Sequence, residues 1–184
     1  MEHNVIQKNM WNSAAKAGLV LGLVSTAFMF MTNWTEQADI PATLGAIVEM
    51  ALRCAKIGGC IWLMMFFMYR FAAMNPDVTN ADTRRFGTIT ALLSALVFSA
   101  FSLADILFIS PGFYTQQIDA VLQEMAPMMD SNSLGMVDEF LEKMPQITFF
   151  STLIYCFIYG TVLSAILSRK IPSTDPFADY KPQE

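Results

Sequence analysis

Four ionisable residues stand where the chain is otherwise apolar: Glu49, Arg53 and Lys56 in one stretch and Asp105 in another. In a helix, Glu49, Arg53 and Lys56 fall at i, i+4 and i+7, on one stripe that Cys60 continues. Glu49 ahead of Arg53 is the favourable order for an i,i+4 ion pair. Ser94, Phe98 and Ser102 lie within about 60° of Asp105 on a helical wheel. Arg53 is 17 residues from Arg70, or roughly 26 Å along a helix. Asp105 is 20 residues from Arg85, or roughly 30 Å. Similar heights on adjacent antiparallel helices predict an ion pair between Asp105 and Arg53, or Lys56 one turn away. Charged groups at membrane depth are costly, so they face inward and take partners. This intramembrane polar cluster reads either as a structural pair near an interface or as the lining of a polar cavity. One acid with two bases does not make a proton relay.

Other chemistry has little to work with. His3 is the single histidine, and Cys54, Cys60 and Cys156 all lie in apolar runs with no C-x-x-C or Cys/His cluster. Packing is the expected role of these thiols, since cysteine behaves as a small hydrophobe. No metal-ligand set, phosphate loop, dinucleotide fingerprint or Ser/His/Asp arrangement is recognisable. The expectation is therefore no catalytic residue, no metal site and no cofactor. With a net charge of −5 and no basic run, no nucleic-acid partner is expected.

The elements that carry the polar cluster follow from composition. The 184 residues are 54% hydrophobic and 15% charged, against about 25% charged in soluble domains. A bilayer core of about 30 Å takes roughly 20 apolar residues in a helix, and four stretches qualify: about 14–31, 44–71, 86–109 and 147–167. The first lacks a small-residue exit site and is followed by Trp34, so it reads as a span rather than a cleaved signal. The fold class expected is an all-α membrane protein, one four-span domain over residues 1–184.

Orientation follows from basic residues. The amino terminus, the second connection and the tail hold Lys8, Lys16, Arg70, Arg84, Arg85, Arg169, Lys170 and Lys181, whereas the other two connections hold Lys143. The positive-inside bias puts both termini in the cytoplasm, making the chain a multi-pass protein of a bacterial inner membrane. Glu36, Asp39, Asp119, Glu124, Asp130, Asp138, Glu139 and Glu142 then give an acidic outer face. Trp11, Trp34, Tyr69 and Tyr114 fall near span ends, where aromatic anchors belong.

The connection at 110–146 is too long for a structureless loop. Ile118, Val121, Leu122 and Met125 follow helical spacing between Tyr114 and Met129, with Pro127 limiting the end. A second helix is predicted from near Ser133 to Met144, where Pro145 stops it. Together these form an outer amphipathic hairpin over about 113–144, with Val121, Leu122 and Leu141 buried and Gln123 and Glu139 wet. It reads as a cap on the bundle, or as a docking site or lid, for which its methionines suit adaptable packing. Gly18 and Gly22, with Ala14 extending the stripe, and Gly160 with Ser164 mark close helix packing, within the bundle or in a dimer.

GLVLGLVS early in the first span, FISPGFYTQQIDAVLQEM after the third and YGTVLSAILSRKIP at the end of the fourth occur in that order. In this the chain resembles a Bacteroidetes membrane family, the domain of unknown function forty-one ninety-nine. The resemblance covers nearly the whole chain. It implies four spans with an outer helical insertion, supplies no catalytic residues, and points to a polyprenyl-phosphate-type glycosyltransferase as a partner. Two functions are then expected. One is a non-enzymatic accessory or scaffold subunit for a membrane glycosyltransferase acting on lipid-linked sugars. The alternative is a small transporter, channel or lipid-binding protein, for which four spans would call for a homo-oligomer.

Overall fold

The computed structural model describes residues 2–38, 41–75, 78–112, 114–116, 118, 123 and 131–171, and the side chains of 2–8, 42, 131–140 and 142 are not among those described. Apart from the short connections, the described residues are helical, with no strand among them. Helix α1 is Glu2–Gln37, α2 is Ala42–Met74, α3 is Asn80–Ala104 and α4 is Ser131–Ser168. Each contains a segment long and apolar enough to cross a membrane: Asn9–Gln37, Thr43–Met74, Asn80–Ile109 and Lys143–Ser168. The end of the bundle with the α2–α3 connection is called proximal below, and the end with the α1–α2 connection distal.

Small residues set the packing. In α1, Ala14, Ala17, Gly18, Leu21, Gly22, Ser25 and Thr26 are buried, a stripe at the i, i+3, i+4 spacing of one helix face. The matching face of α3 buries Thr83, Phe86, Gly87, Thr90, Ala91, Ser94, Ala95 and Ser99. A Cβ on Gly18 would stand 3.0 Å from the Thr90 carbonyl, and one on Gly22 would stand 3.1 Å from that of Ser94. These two helices run parallel. On the other side of α3, a Cβ on Gly160 of α4 would meet Ala91 at 2.5 Å, and the Ser164 hydroxyl donates to the Arg84 carbonyl at 2.9 Å. Lipid gives little hydrophobic reason for apolar helices to associate, so such close backbone approach is what holds them. Gly18, Gly22, Gly160 and Ser164 thus all lie in seams of this one chain.

The apolar core lies at the proximal end. Phe71 of α2 stacks on Phe86 of α3 with ring centroids 4.3 Å apart and planes 5° from parallel. Met64, Met68, Val78 and Leu167 close around them. A reciprocal capping box starts α3: Asp82 N–H donates to the Thr79 hydroxyl, and Thr79 N–H to the Asp82 carboxylate, an arrangement worth about 1 kcal/mol.

Two features of the distal end differ from the sequence expectation. Pro145 does not end a helix: α4 runs through it. A proline costs the helix one N–H bond and crowds the carbonyl four residues back, here Leu141. Near a membrane surface, water or a side chain can satisfy that carbonyl. Residues 131–144 therefore belong to the same continuous helix as the Lys143–Ser168 segment instead of to a helix that stops at Pro145. Leu141 is half-buried rather than buried, Lys143 and Gln123 are exposed, Val121, Leu122 and most of 117–130 lie outside the described residues, and the side chain of Glu139 is not among those described.

Candidate functional site

Packing between the helices loosens toward the distal end. Among the described residues of α2, none before Met64 is buried, and none of α4 before Gly160. Both helices are therefore held tightly at the proximal end and stand apart beyond it. The space between them, backed by α1 and α3, is a cavity of about 310 Å³, at the lower end of the range for ligand sites. Its floor is apolar, with Leu21, Met64, Ala91 and Leu163. Arg53 and Lys56 of α2 line its distal part, and Tyr155, Cys156 and Tyr159 of α4 line the opposite wall.

The polar cluster is divided between two places. Arg53 pairs with Glu49 one turn away on the same exposed face. Lys56 directs its ammonium over the Phe98 ring, 4.4 Å from the centroid, a cation–π contact. The ion pair expected between Asp105 and Arg53 or Lys56 is not formed. Asp105 is fully buried and accepts from Asn33 Nδ2 at 2.7 Å and from the Tyr114 hydroxyl at 2.9 Å. The reason is lateral, not vertical. Asp105 continues the α3 face that packs on α1, and Asn33 lies at the same offset of 72 residues that joins Gly18 to Thr90 and Gly22 to Ser94. The distal half of α2, by contrast, has moved away.

A local change of helix type presents that carboxyl. At Asp105–Ile109 the chain adopts a π-helical turn, closed by the Ser110 N–H on the Asp105 carbonyl at 2.8 Å. Such turns frequently occur at functional positions. The second carboxyl oxygen, Oδ1, is buried and has no hydrogen-bond partner among the described residues. Burial, with the hydrogen bond to Asp105 adding to it, pushes the Tyr114 phenol up to about 12. Asn33 and Tyr114 were not identified as partners from the sequence. A signal existed for Asn33, which extends the Gly22/Thr26 stripe of α1 by two turns.

Ser25 and Cys60 approach at 3.3 Å across α1 and α2 beside the cavity. Among the described residues no three His, Cys, Asp or Glu side chains gather in a way that could hold a metal ion. The arrangement offers cations and phenol donors above an apolar floor, suited to holding an amphiphile.

The family whose model matches residues 16–169 is described as "Protein of unknown function (DUF4199)", and the chain belongs to it. No curated protein and no solved structure matches.

Proposed function

We propose that this four-span member of a family of unknown function is a non-catalytic, lipid-binding accessory protein of a bacterial inner membrane. The observation that carries the reading is the cavity between α2 and α4, apolar below and basic above. Closure by Met64, Met68 and the Phe71–Phe86 stack at the proximal end supports holding a guest over conducting one. The resemblance drawn from the sequence adds a partner: a membrane glycosyltransferase acting on lipid-linked sugars, beside which such a protein would keep an amphiphile at hand. Both termini would face the cytoplasm and the acidic distal end the outside.

The test is purification from native membranes under mild detergent, with mass spectrometry of co-purifying lipids and proteins. A lipid retained near one per chain, and lost when Ile57→Trp fills the cavity from an exposed position of α2, is the expected result. Wild-type protein that retains no more lipid than Ile57→Trp would reject the reading. Absence of a stoichiometric glycosyltransferase would remove that partner and leave lipid binding in place.

A further inference from the structure

Resting on that reading of the cavity, we infer that its guest is an anionic lipid with a phosphate-bearing headgroup. The headgroup sits against Lys56 and Arg53, and the chain descends toward Met64.

Charge is the first argument. Glu49 neutralises Arg53, but Lys56 has no carboxylate partner among the described residues; its contact is the Phe98 ring. Among the described residues the cavity mouth therefore carries a formal excess of one positive charge. Lys56 lies 14 residues from Arg70, or roughly 21 Å along the helix, inside the apolar stretch Thr43–Met74. A cation at such depth is retained where something pairs with it. Among the described residues no acid does so: Asp105 is committed to Asn33 and Tyr114, and Glu49 to Arg53.

Donor chemistry is the second. Lysine offers three N–H groups and no acceptor, and a phenol can donate its O–H. Tyr155 and Tyr159 of α4 line the same cavity as Lys56. A donor-rich mouth matches the several acceptor oxygens of a phosphate. A zwitterionic choline or ethanolamine headgroup would bring a second cation beside Lys56.

Access is the third. The gap lies between α2 and α4, whose distal halves hold no buried residue among those described, so a lipid could enter sideways from the bilayer. Arg53 lies three residues, or about 5 Å, nearer the distal surface than Lys56. It marks the route by which a headgroup keeps contact with water. The apolar floor takes a hydrocarbon chain and offers nothing to a free phosphate ion.

The test exchanges the purified full-length protein into mixed micelles with phosphatidylglycerol or phosphatidylcholine, or with inorganic phosphate alone. Bound lipid is counted by native mass spectrometry, and circular dichroism and gel filtration confirm each variant is folded. Wild type is expected to retain phosphatidylglycerol about tenfold over phosphatidylcholine. Lys56→Gln should reduce phosphatidylglycerol retention to the phosphatidylcholine level, Lys56→Arg should restore most of it, and Arg53→Gln should reduce it less. Inorganic phosphate should not compete. Equal retention of both lipids, unchanged by Lys56→Gln, would overturn the anionic headgroup while leaving a lipid site. Displacement of phosphatidylglycerol by inorganic phosphate at equal concentration would overturn the lipid as the source of the anion. Retention of neither lipid, with wild type indistinguishable from Ile57→Trp, would overturn the underlying reading itself.

Discussion

At the scale of single residues, Asp105 carries the most consequence. Its carboxyl joins α1, through Asn33, to the segment after α3, through Tyr114. Asp105→Ala would leave those two partners without their acceptor, and leaving buried polar groups unpaired costs about 1–3 kcal/mol. Thermal unfolding in detergent should show that loss. Combining it with Lys56→Ala should give additive losses, since the two share no partner and coupling needs contact or a common network. A coupling well above the usual error of additivity would contradict the geometry.

Tyr114 gives a pH signature of the same contact. A phenol titrates near 10 in an unfolded chain and near 12 here. Between those values the unfolded state binds fewer protons than the folded one, so stability falls as pH rises. The contribution is fully present below about pH 10 and is lost as pH climbs through about 12. Ultraviolet titration of phenolate should show a late component in wild type that is missing in Tyr114→Phe. That a buried carboxylate would face inward was legible from its cost in a membrane. Its partner was not, because equal depth names a height in the bundle and leaves the neighbour open.

At the scale of elements, glycine spacing and proline behaved differently as signals. G-x-x-x-G could be assigned to close packing because nothing else explains two glycines one turn apart in an apolar helix, but its partner helix is a tertiary fact. Here it is α3. Gly22→Leu should destabilise by about 1–3 kcal/mol through overpacking, because its Cβ would press on Val97 and on the Ser94 carbonyl. Leu19→Ala, at a position of α1 that is 52% exposed, should change stability far less. Paired melting curves in one detergent decide it. Pro145 reads as a stop because a local rule treats every proline so. In α4 the turns on both sides are helical, and a span anchored by its neighbours can absorb one lost bond. Pro145→Ala should therefore preserve the fold and raise the melting temperature, given that proline is about 3 kcal/mol less favourable than alanine inside a helix. The π-helical turn at Asp105–Ile109 left no mark in the apolar pattern, since one inserted residue per turn barely disturbs a periodicity read over so short a stretch.

At the scale of the whole molecule, four spans were legible because each is a long apolar run whose length is set by the bilayer. The cavity was not, since it arises from where α2 and α4 stop touching the α1–α3 pair, and no single helix records that. The same architecture makes orientation testable. Arg70, Arg84, Arg85, Arg169 and Lys170 come from three helix ends, yet the fold gathers them all at the proximal end. All five are exposed, and Arg85 makes a 3.8 Å contact with Asp82 at its own helix start. Basic residues near span ends resist translocation, whereas acidic ones contribute little, so the proximal end should remain in the cytoplasm. The measurement replaces Cys54, Cys60 and Cys156 with alanine and places one cysteine at exposed Asn80 or at exposed Gln123. In intact spheroplasts a membrane-impermeant maleimide should label the Gln123→Cys protein. The Asn80→Cys protein should react only after the membrane is opened. The reverse pattern would invert the molecule in the bilayer, and Lys56 would then meet lipids of the cytoplasmic leaflet instead of the outer one.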